Sequence, residues 1–256
     1  MSRLSLVRRS SLVLLLVLAL LGLAAAACGN DGESGGKSGS SKSPTATATR
    51  PKALTAAEQC QKEAGKAGSC PKAASSLAES ARADIDEFWK QAFEGGGRQY
   101  EPPADFVAYD REIDTGCGTT EPDNAFYCGR DHTIYYDATF LGREFAAHGQ
   151  YAPVFIIAHE WGHLVQANLG GILQNDEVYS IDIELQADCF AGVYMRDAED
   201  RNLVAEKDLD SAVVALFHAG DEIGTPWNDP QAHGTAGERI DAFNEGFSEG
   251  IDVCMD

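Results

Sequence analysis

The stretch that decides the fold is "IIAHEWGHLVQ", residues 156–166, an apolar segment that holds two histidines and a glutamate. His159 and His163 are four residues apart, so on a helix they share one face, with Cβ atoms about 5–6 Å apart. Their ring nitrogens can then bind one metal ion. Glu160 lies beside them, where it can accept a proton from a metal-activated water. The alternative is a buried helix with two ordinary core histidines. The metal site is favoured, because these groups are costly in an apolar helix unless paired.

A third ligand is expected downstream, because catalytic zinc usually has three protein ligands and one open position. The segment "IELQAD" in a predicted helix at 181–200 offers Glu184 and Asp188, which share a helical face. Glu184 can reach the metal, and Asp188 can accept the remaining N–H of His159. Two alternatives stay open: Asp182 is the rival ligand, or these acids are only exposed groups of an acidic protein.

Three blocks together carry a resemblance to a known family: "AHEWGHLVQ", "ELQADCFAGVY" and "HGTAGERIDAFNEGF". In this order they resemble the neutral zinc metallopeptidase family of bacteria, over about residues 109–247. The resemblance implies a zincin-like fold, with an active-site helix beneath a small sheet and a helical second half. It implies an endopeptidase-like enzyme with one zinc ion bound by His159, His163 and Glu184. It also implies that Glu160 is the catalytic residue.

The rest of the pattern predicts one α+β domain at 55–256, in which a small β region precedes a helical half. The expected strands are 105–109 and 133–137, and the expected helices are 76–93, 153–169, 181–200, 209–219 and 235–249. The last helix has Thr235 as its cap, with Glu238 completing a capping box. The strand at 133–136 is expected to pair with an extended substrate, as edge strands do.

A donor to the developing oxyanion is also needed. His233 is the first candidate, because it lies in a loop just before the last helix. Tyr135 and Tyr136 are the next candidates. The alternative for His233 is an exposed loop histidine without a role.

Six cysteines beyond residue 28 point to disulfides and therefore to export from the cytoplasm. Local spacing favours two pairs, Cys60 with Cys70 and Cys117 with Cys128. Elimination leaves Cys189 with Cys254. We expect these pairs to staple the folded domain.

The amino-terminal residues predict an export signal at 1–27, with three arginines before a long apolar run. Small residues before Cys28 are typical of a bacterial lipoprotein, with lipid on that cysteine. An ordinary cleaved signal and secretion, or an uncleaved anchor helix, are the alternatives. Residues 28–54 are rich in glycine, serine and threonine and predict a flexible tether. The expected location is the extracytoplasmic face of the cell membrane.

The charge excludes some partners. Removing the three arginines of residues 1–27 from the formal charge of −20 leaves −23. Such a surface disfavours nucleic acid and anionic lipid, so only the lipid anchor would bring the protein to a membrane. The expected partner is a peptide or protein substrate. Two other functions stay open: a non-enzymatic, zinc-stabilised envelope lipoprotein that binds a partner, and a zinc hydrolase of a non-peptide amide such as a cell-wall bond.

Overall fold

The computed structural model describes residues 53–65, 68–170, 179–204, 213–215, 219–222 and 224–255. The predicted signal peptide, Cys28 and the tether up to residue 52 lie outside these ranges. Most of the helix expected at 209–219 also lies outside them, although residues 213–215 and 219 are helical. Within the described ranges, no helix is both long and apolar enough to span a membrane.

All strands of the described residues lie between the second and the third helix, and helices make up the rest of the domain. In chain order they are α1 (Ala53–Ala64), α2 (Pro71–Gly95), β1 (Asp105–Tyr109), β2 (Asp114–Thr115), β3 (Gly118–Thr119), β4 (Ala125–Cys128), β5 (Thr133–Asp137), α3 (Ala138–His148), α4 (Tyr151–Leu169), α5 (Ser180–Asp200), α6 (Ala236–Glu249) and a final 3₁₀ helix (Ile251–Met255). The mixed helix and strand composition with a small sheet is as predicted.

The main sheet has three strands in the order β1-β5-β4. β5 pairs in parallel with β1 and antiparallel with β4, and all five of its residues are buried. The expectation that residues 133–136 form an edge for substrate was therefore wrong, because β1 and β4 occupy both sides of β5. The free edge next to the site belongs to β4. β2 and β3 form a separate two-stranded ribbon.

The core of the helical half lies between α2, α4 and α5. Trp89 of α2 is fully buried and meets Phe190 of α5 edge to face, with ring centroids 5.5 Å apart. Four of the predicted helices are present, with ends within five residues of the expected positions. α6 begins with the predicted capping box: the Glu238 amide donates to Thr235 Oγ1, and the Thr235 amide donates to Glu238 Oε2 at 2.9 Å.

Two helices were not predicted, α1 and α3. α3 follows β5 without a loop because Asp137 ends the strand and caps the helix. Its Oδ1 accepts hydrogen bonds from the amides of Thr139 and Phe140 at 2.7 and 3.2 Å, which is the preferred role of aspartate at this position. The apolar run "TIYY" concealed this boundary, since it signals only the strand.

The six cysteines lie in the three predicted pairs, with Cα–Cα distances of 4.9 Å for Cys60–Cys70, 5.8 Å for Cys117–Cys128 and 5.7 Å for Cys189–Cys254. The first pair joins α1 to the start of α2, and the second closes the chain between β3 and β4. The third ties α5 to the final 3₁₀ helix, across 65 residues of sequence.

α5 and α6 pack in direct backbone contact. A side chain at Gly192 would collide with the carbonyl of Phe243, and one at Gly246 would collide with the carbonyl of Cys189. Only glycine permits this approach. As a result the first turn of α6 lies over the part of α5 that carries Asp188, and Arg239 reaches that carboxylate.

Candidate metal centre

Three side chains from two helices converge at one point. His159 and His163 of α4 and Glu184 of α5 each present one ligand atom, and these atoms lie within 4.8 Å of one another. Glu184 Oε2 is 3.1 Å from His159 Nε2, and its Oε1 is 3.5 Å from His163 Nε2. This is the only such group of histidine, cysteine and acidic side chains in the part of the chain that the structure describes.

The donor set fits zinc. Two imidazole nitrogens and one carboxylate oxygen are ligands of catalytic zinc, and atoms about 2.0–2.1 Å from a tetrahedral ion stand roughly 3.3 Å apart. The separations of 3.1 Å from Glu184 Oε2 to His159 and 3.5 Å from Glu184 Oε1 to His163 are both close to that value. No fourth histidine, cysteine or acidic side chain joins these three within the ranges that the structure describes.

His159 is oriented from its far side by a buried ion pair. Its Nδ1 lies 2.8 Å from Asp188 Oδ1, so Nε2 faces Glu184. Arg239 holds the same carboxylate through Nε and Nη2, at 2.7 and 3.0 Å, and donates from Nη1 to the carbonyl of Ala219. Asp188 is fully buried. Its negative charge therefore depends on Arg239, because an unpaired buried charge is strongly destabilising.

His163 has an uncharged partner instead. Its Nδ1 lies 2.9 Å from Gln166 Oε1, one turn further along α4. The ring N–H donates to this oxygen, so the Nε2 lone pair points toward Glu184. Each ring thus presents Nε2 toward Glu184, and a different neighbour contacts each Nδ1.

The charges around the ligands perturb their pKa values in opposite directions. Burial would lower the pKa of His159, but Asp188 and Glu184 raise it to about 10. Burial and the adjacent charge of His159 lower the pKa of His163. Glu184 is buried, yet the two histidines hold its pKa well below the usual range. The site thus places a proton between His159 and Glu184, and a metal cation would take the place of that proton.

Glu160 lies beside the three ligands but does not belong to them. Its Oε2 accepts a hydrogen bond from the backbone amide of Tyr127 in β4 at 2.9 Å. Burial raises the pKa of its carboxyl to about 7, although the charge of His159 opposes this. A base with a pKa near neutrality both accepts and releases a proton readily.

Gly162 allows the two ligand-bearing helices to meet. A Cβ atom there would lie 2.7 Å from the carbonyl oxygen and 2.8 Å from the Cα of Ala187. Ala187 lies in α5 between Glu184 and Asp188, so the contact sets the distance from both carboxylates to the histidines. The spacing of residues within one helix does not reveal such a contact between two helices.

Substitution of this glycine should damage the site. We expect Gly162→Ala to lower the free energy of unfolding by about 1–3 kcal/mol, because α5 must move away from α4. Zinc affinity, measured by chelator competition, should fall as well. Gly237→Ala in α6 is the control, since its nearest contact to an added Cβ is 4.0 Å away. Wild-type stability and zinc affinity in Gly162→Ala would contradict this account.

A cleft of about 730 Å³ opens over the ligands. Its lining includes β4, the wall formed by Phe140 and Glu144, and His233. The side chain of His233 is 52% exposed, with Nδ1 3.5 Å from Asp221 Oδ1. Tyr135 and Tyr136 are not among the described residues that line the cleft.

Two of the residues considered from the sequence, one as a metal ligand and one as an oxyanion donor, have other contacts. Asp182 accepts a hydrogen bond from the amide of Tyr179 at 3.1 Å, at the start of α5. It therefore stabilises the helix end and lies outside the group of metal ligands. Tyr135 donates to Asp131 Oδ2 at 2.9 Å, away from the ligands.

The sequence did not reveal four contacts of the site: those of Gln166, Gln186, Arg239 and Tyr127. Gln166 had a local signal, since it follows His163 by three residues on the same helix. Arg239 had a weaker sequence signal: it is a cation that directly follows the capping box and precedes the apolar residues of α6. The contact of the Tyr127 amide had no sequence signal, because the type of a residue does not indicate what its backbone amide binds.

Comparison with known proteins supports the same chemistry. The model of a family described as "Putative neutral zinc metallopeptidase" matches residues 15–255. An uncharacterized protein of Escherichia coli K12, YpfJ, is 35% identical over 189 residues, which is 66% of this chain and 66% of YpfJ. An uncharacterized protein of Mycobacterium tuberculosis H37Rv, Rv2575, is 30% identical over 194 residues, covering 65% of this chain and 64% of that protein. The chain thus spans just under two thirds of these relatives. No solved structure gives a significant match.

Proposed function

Because the chain belongs to the neutral zinc metallopeptidase family, we propose that it is a zinc-dependent endopeptidase. His159, His163 and Glu184 hold one zinc ion, and Glu160 is the general base. The observation that carries the proposal is the convergence of three ligand atoms within 4.8 Å beside a buried carboxylate that is not one of them. Metal analysis combined with the Glu160→Gln variant tests it.

The residues of the site divide the chemistry between them. Zinc, when bound, supplies a Lewis acid that polarises a carbonyl and lowers the pKa of water toward about 7. Glu160 accepts the proton of the attacking water through its carboxylate and then transfers it to the departing amine. The Tyr127 amide keeps Oε2 of this carboxylate in place. Asp188 and Arg239 keep His159 in the tautomer that presents Nε2.

The free edge of β4 is the surface proposed for the substrate backbone. Asn124 accepts from the amide of Asp137, so its polar groups face β5. The amide of Tyr127 instead faces Glu160. Since backbone groups alternate along an antiparallel strand, those of Ala125 point to the same free side as those of Tyr127. An extended peptide can pair there and bring its scissile bond over the ligands.

Removal of the backbone amide of Ala125, a hydrogen-bond donor, tests whether substrate pairs with the edge of β4. We expect Ala125→Pro to lower kcat/KM about 2–10-fold through KM, because one backbone hydrogen bond contributes about 0.5–1.5 kcal/mol. Proline is tolerated on an edge strand, so zinc content should not change. Ala125→Ser keeps the amide and serves as the control. Equal KM values for the two variants would exclude substrate pairing at this position.

His233 is proposed as the donor that stabilises the oxyanion. It lines the cleft, and its loop is closed by Asp221, whose Oδ2 accepts from the amides of His233 and Gly234 at 2.8 and 2.9 Å. We expect His233→Ala to lower kcat about 10²-fold, the loss typical of one such donor, with KM nearly unchanged. His233→Gln, which keeps a donor, should recover part of the rate. Unchanged turnover in His233→Ala would remove this role.

The observed geometry favours catalysis over a purely structural zinc site. A structural site is usually closed by four protein ligands, whereas three converge among the described residues. A structural ion also has no need of Glu160. For the bond that is cleaved, a peptide library and purified cell-wall material are the two substrates to compare. Hydrolysis of the wall material alone would replace the peptidase proposal with an amidase.

Export and anchoring complete the proposal. We place the protein on the extracytoplasmic side of the cell membrane, attached by lipid on Cys28, with the glycine- and serine-rich segment before α1 as the link to the folded domain. The three cysteine pairs at disulfide distance support an oxidising compartment.

A further inference from the structure

Gln166 is fully buried beside the metal ligands, and its amide has one permitted orientation. Its Nε2 lies 2.7 Å from the backbone carbonyl of Ile183. A carbonyl only accepts hydrogen bonds, so the NH₂ group must face Ile183. The oxygen of Gln166 therefore faces His163, and the ring of His163 must donate to it. The tautomer of this ligand is thus dictated by the orientation of Gln166.

A second glutamine continues the chain of hydrogen bonds. The NH₂ group of Gln166 also donates to Gln186 Oε1 at 3.0 Å, and Gln186 Nε2 donates to the backbone carbonyl of Cys254 at 2.8 Å. The Cys254 carbonyl thus orients Gln186 so that its Oε1 faces Gln166, and adds a second acceptor to the one that Ile183 offers the Gln166 NH₂ group. We refer to Gln166, Gln186 and the Cys254 carbonyl as the amide relay.

The relay ends on the last turn of the chain. Cys254 lies in the 3₁₀ helix Ile251–Met255 and forms a disulfide with Cys189 of α5. The disulfide fixes the Cys254 carbonyl to the helix that carries both Gln186 and Glu184. His159 has no such dependence, because its partner Asp188 is itself part of α5.

We propose that the Cys189–Cys254 disulfide is a positioning element of the metal centre, which acts on His163 through the amide relay. This inference rests on the metal-binding part of the proposed function and not on hydrolysis. A second cysteine pair, Cys60–Cys70, has no contact with the relay and joins only α1 and α2. The two disulfides should therefore differ in their effect on zinc.

The test measures zinc binding by competition with a chromophoric chelator in the full-length protein. We expect the double variant Cys189→Ala/Cys254→Ala to bind zinc about tenfold more weakly, the lower end of the loss caused by removing an outer hydrogen-bond partner. The double variant Cys60→Ala/Cys70→Ala should lose thermal stability but keep zinc affinity within about twofold of wild type by the same reasoning. A folded Cys189→Ala/Cys254→Ala protein with wild-type affinity would overturn the proposal.

If the Cys189→Ala/Cys254→Ala variant does not fold, a single substitution inside the relay still tests the proposal. Gln186→Leu leaves the disulfide intact and removes both hydrogen bonds of Gln186, the one from Gln166 and the one to the Cys254 carbonyl. We expect the same loss, about tenfold, and wild-type zinc affinity in Gln186→Leu would refute the relay. Combining Gln186→Leu with the double variant should cause little further loss, because both changes interrupt one path. Additive losses would assign the disulfide a general stabilising role instead.

Discussion

Glu160→Gln should retain about one zinc ion per chain and lose nearly all hydrolysis. The substitution removes the proton acceptor but keeps the size of the side chain, and Glu160 is not one of the three converging ligands. Loss of a general base costs about 10²–10⁴-fold in rate. The measurement is kcat on a peptide substrate together with metal analysis of the same preparation.

Glu144→Gln is the matched control, because it removes a carboxylate from the wall of the same cleft. Glu144 lies 3.8 Å from His148 Nε2 and outside the ligand group. This variant should keep its zinc and a rate within about tenfold of wild type, less than the smallest loss expected for a missing base. If Glu160→Gln hydrolysed peptides as fast as this control, the assignment of the base would be wrong.

Loss of the third ligand should have the other large effect, on metal binding. Glu184→Ala removes the oxygens that lie 3.1 and 3.5 Å from the two histidines. We expect zinc affinity to fall more than about a hundredfold, beyond the largest loss caused by an outer partner. Hydrolysis should disappear with the metal. Zinc affinity is measured by chelator competition, and circular dichroism shows whether the variant is folded.

Asp182→Ala separates ligand loss from helix damage. Asp182 lies two residues before Glu184 and stabilises the start of the same helix. Its removal should cost about 0.5–2 kcal/mol of stability, the range for a helix cap, and leave zinc affinity unchanged. If the two variants lost zinc equally, the rival assignment of Asp182 as the ligand would regain support.

The ligand set could be predicted from sequence because each part of it is local. His159 and His163 share a face by their spacing, and Glu184 and Asp188 do so one helix later. What spacing cannot provide is the distance between the two helices. That distance depends on Gly162 against Ala187, a contact between residues 25 positions apart.

The helices that were not predicted and the edge strand that was predicted wrongly also have physical explanations. α1 consists mostly of good helix formers, but Leu54 is its single large aliphatic residue, so its sequence lacks the stripe of large apolar side chains that indicated the other helices. α3 shares Asp137 with the preceding strand, which removes the loop that would mark its start. The edge strand was misassigned because the strongest strand pattern, "TIYY", belongs to the most buried strand, and burial places it in the centre of the sheet.

The position of Arg239 has a consequence for biosynthesis. Asp188 is buried beside His159, and its counter-ion comes from a helix 51 residues later in the chain. During translation the histidines and the acids therefore emerge well before the cation that neutralises them. A chain released before α6 is made would carry every ligand and still lack a stable centre. The group of ligands is therefore complete, with its counter-ion in place, only after α6 has been made.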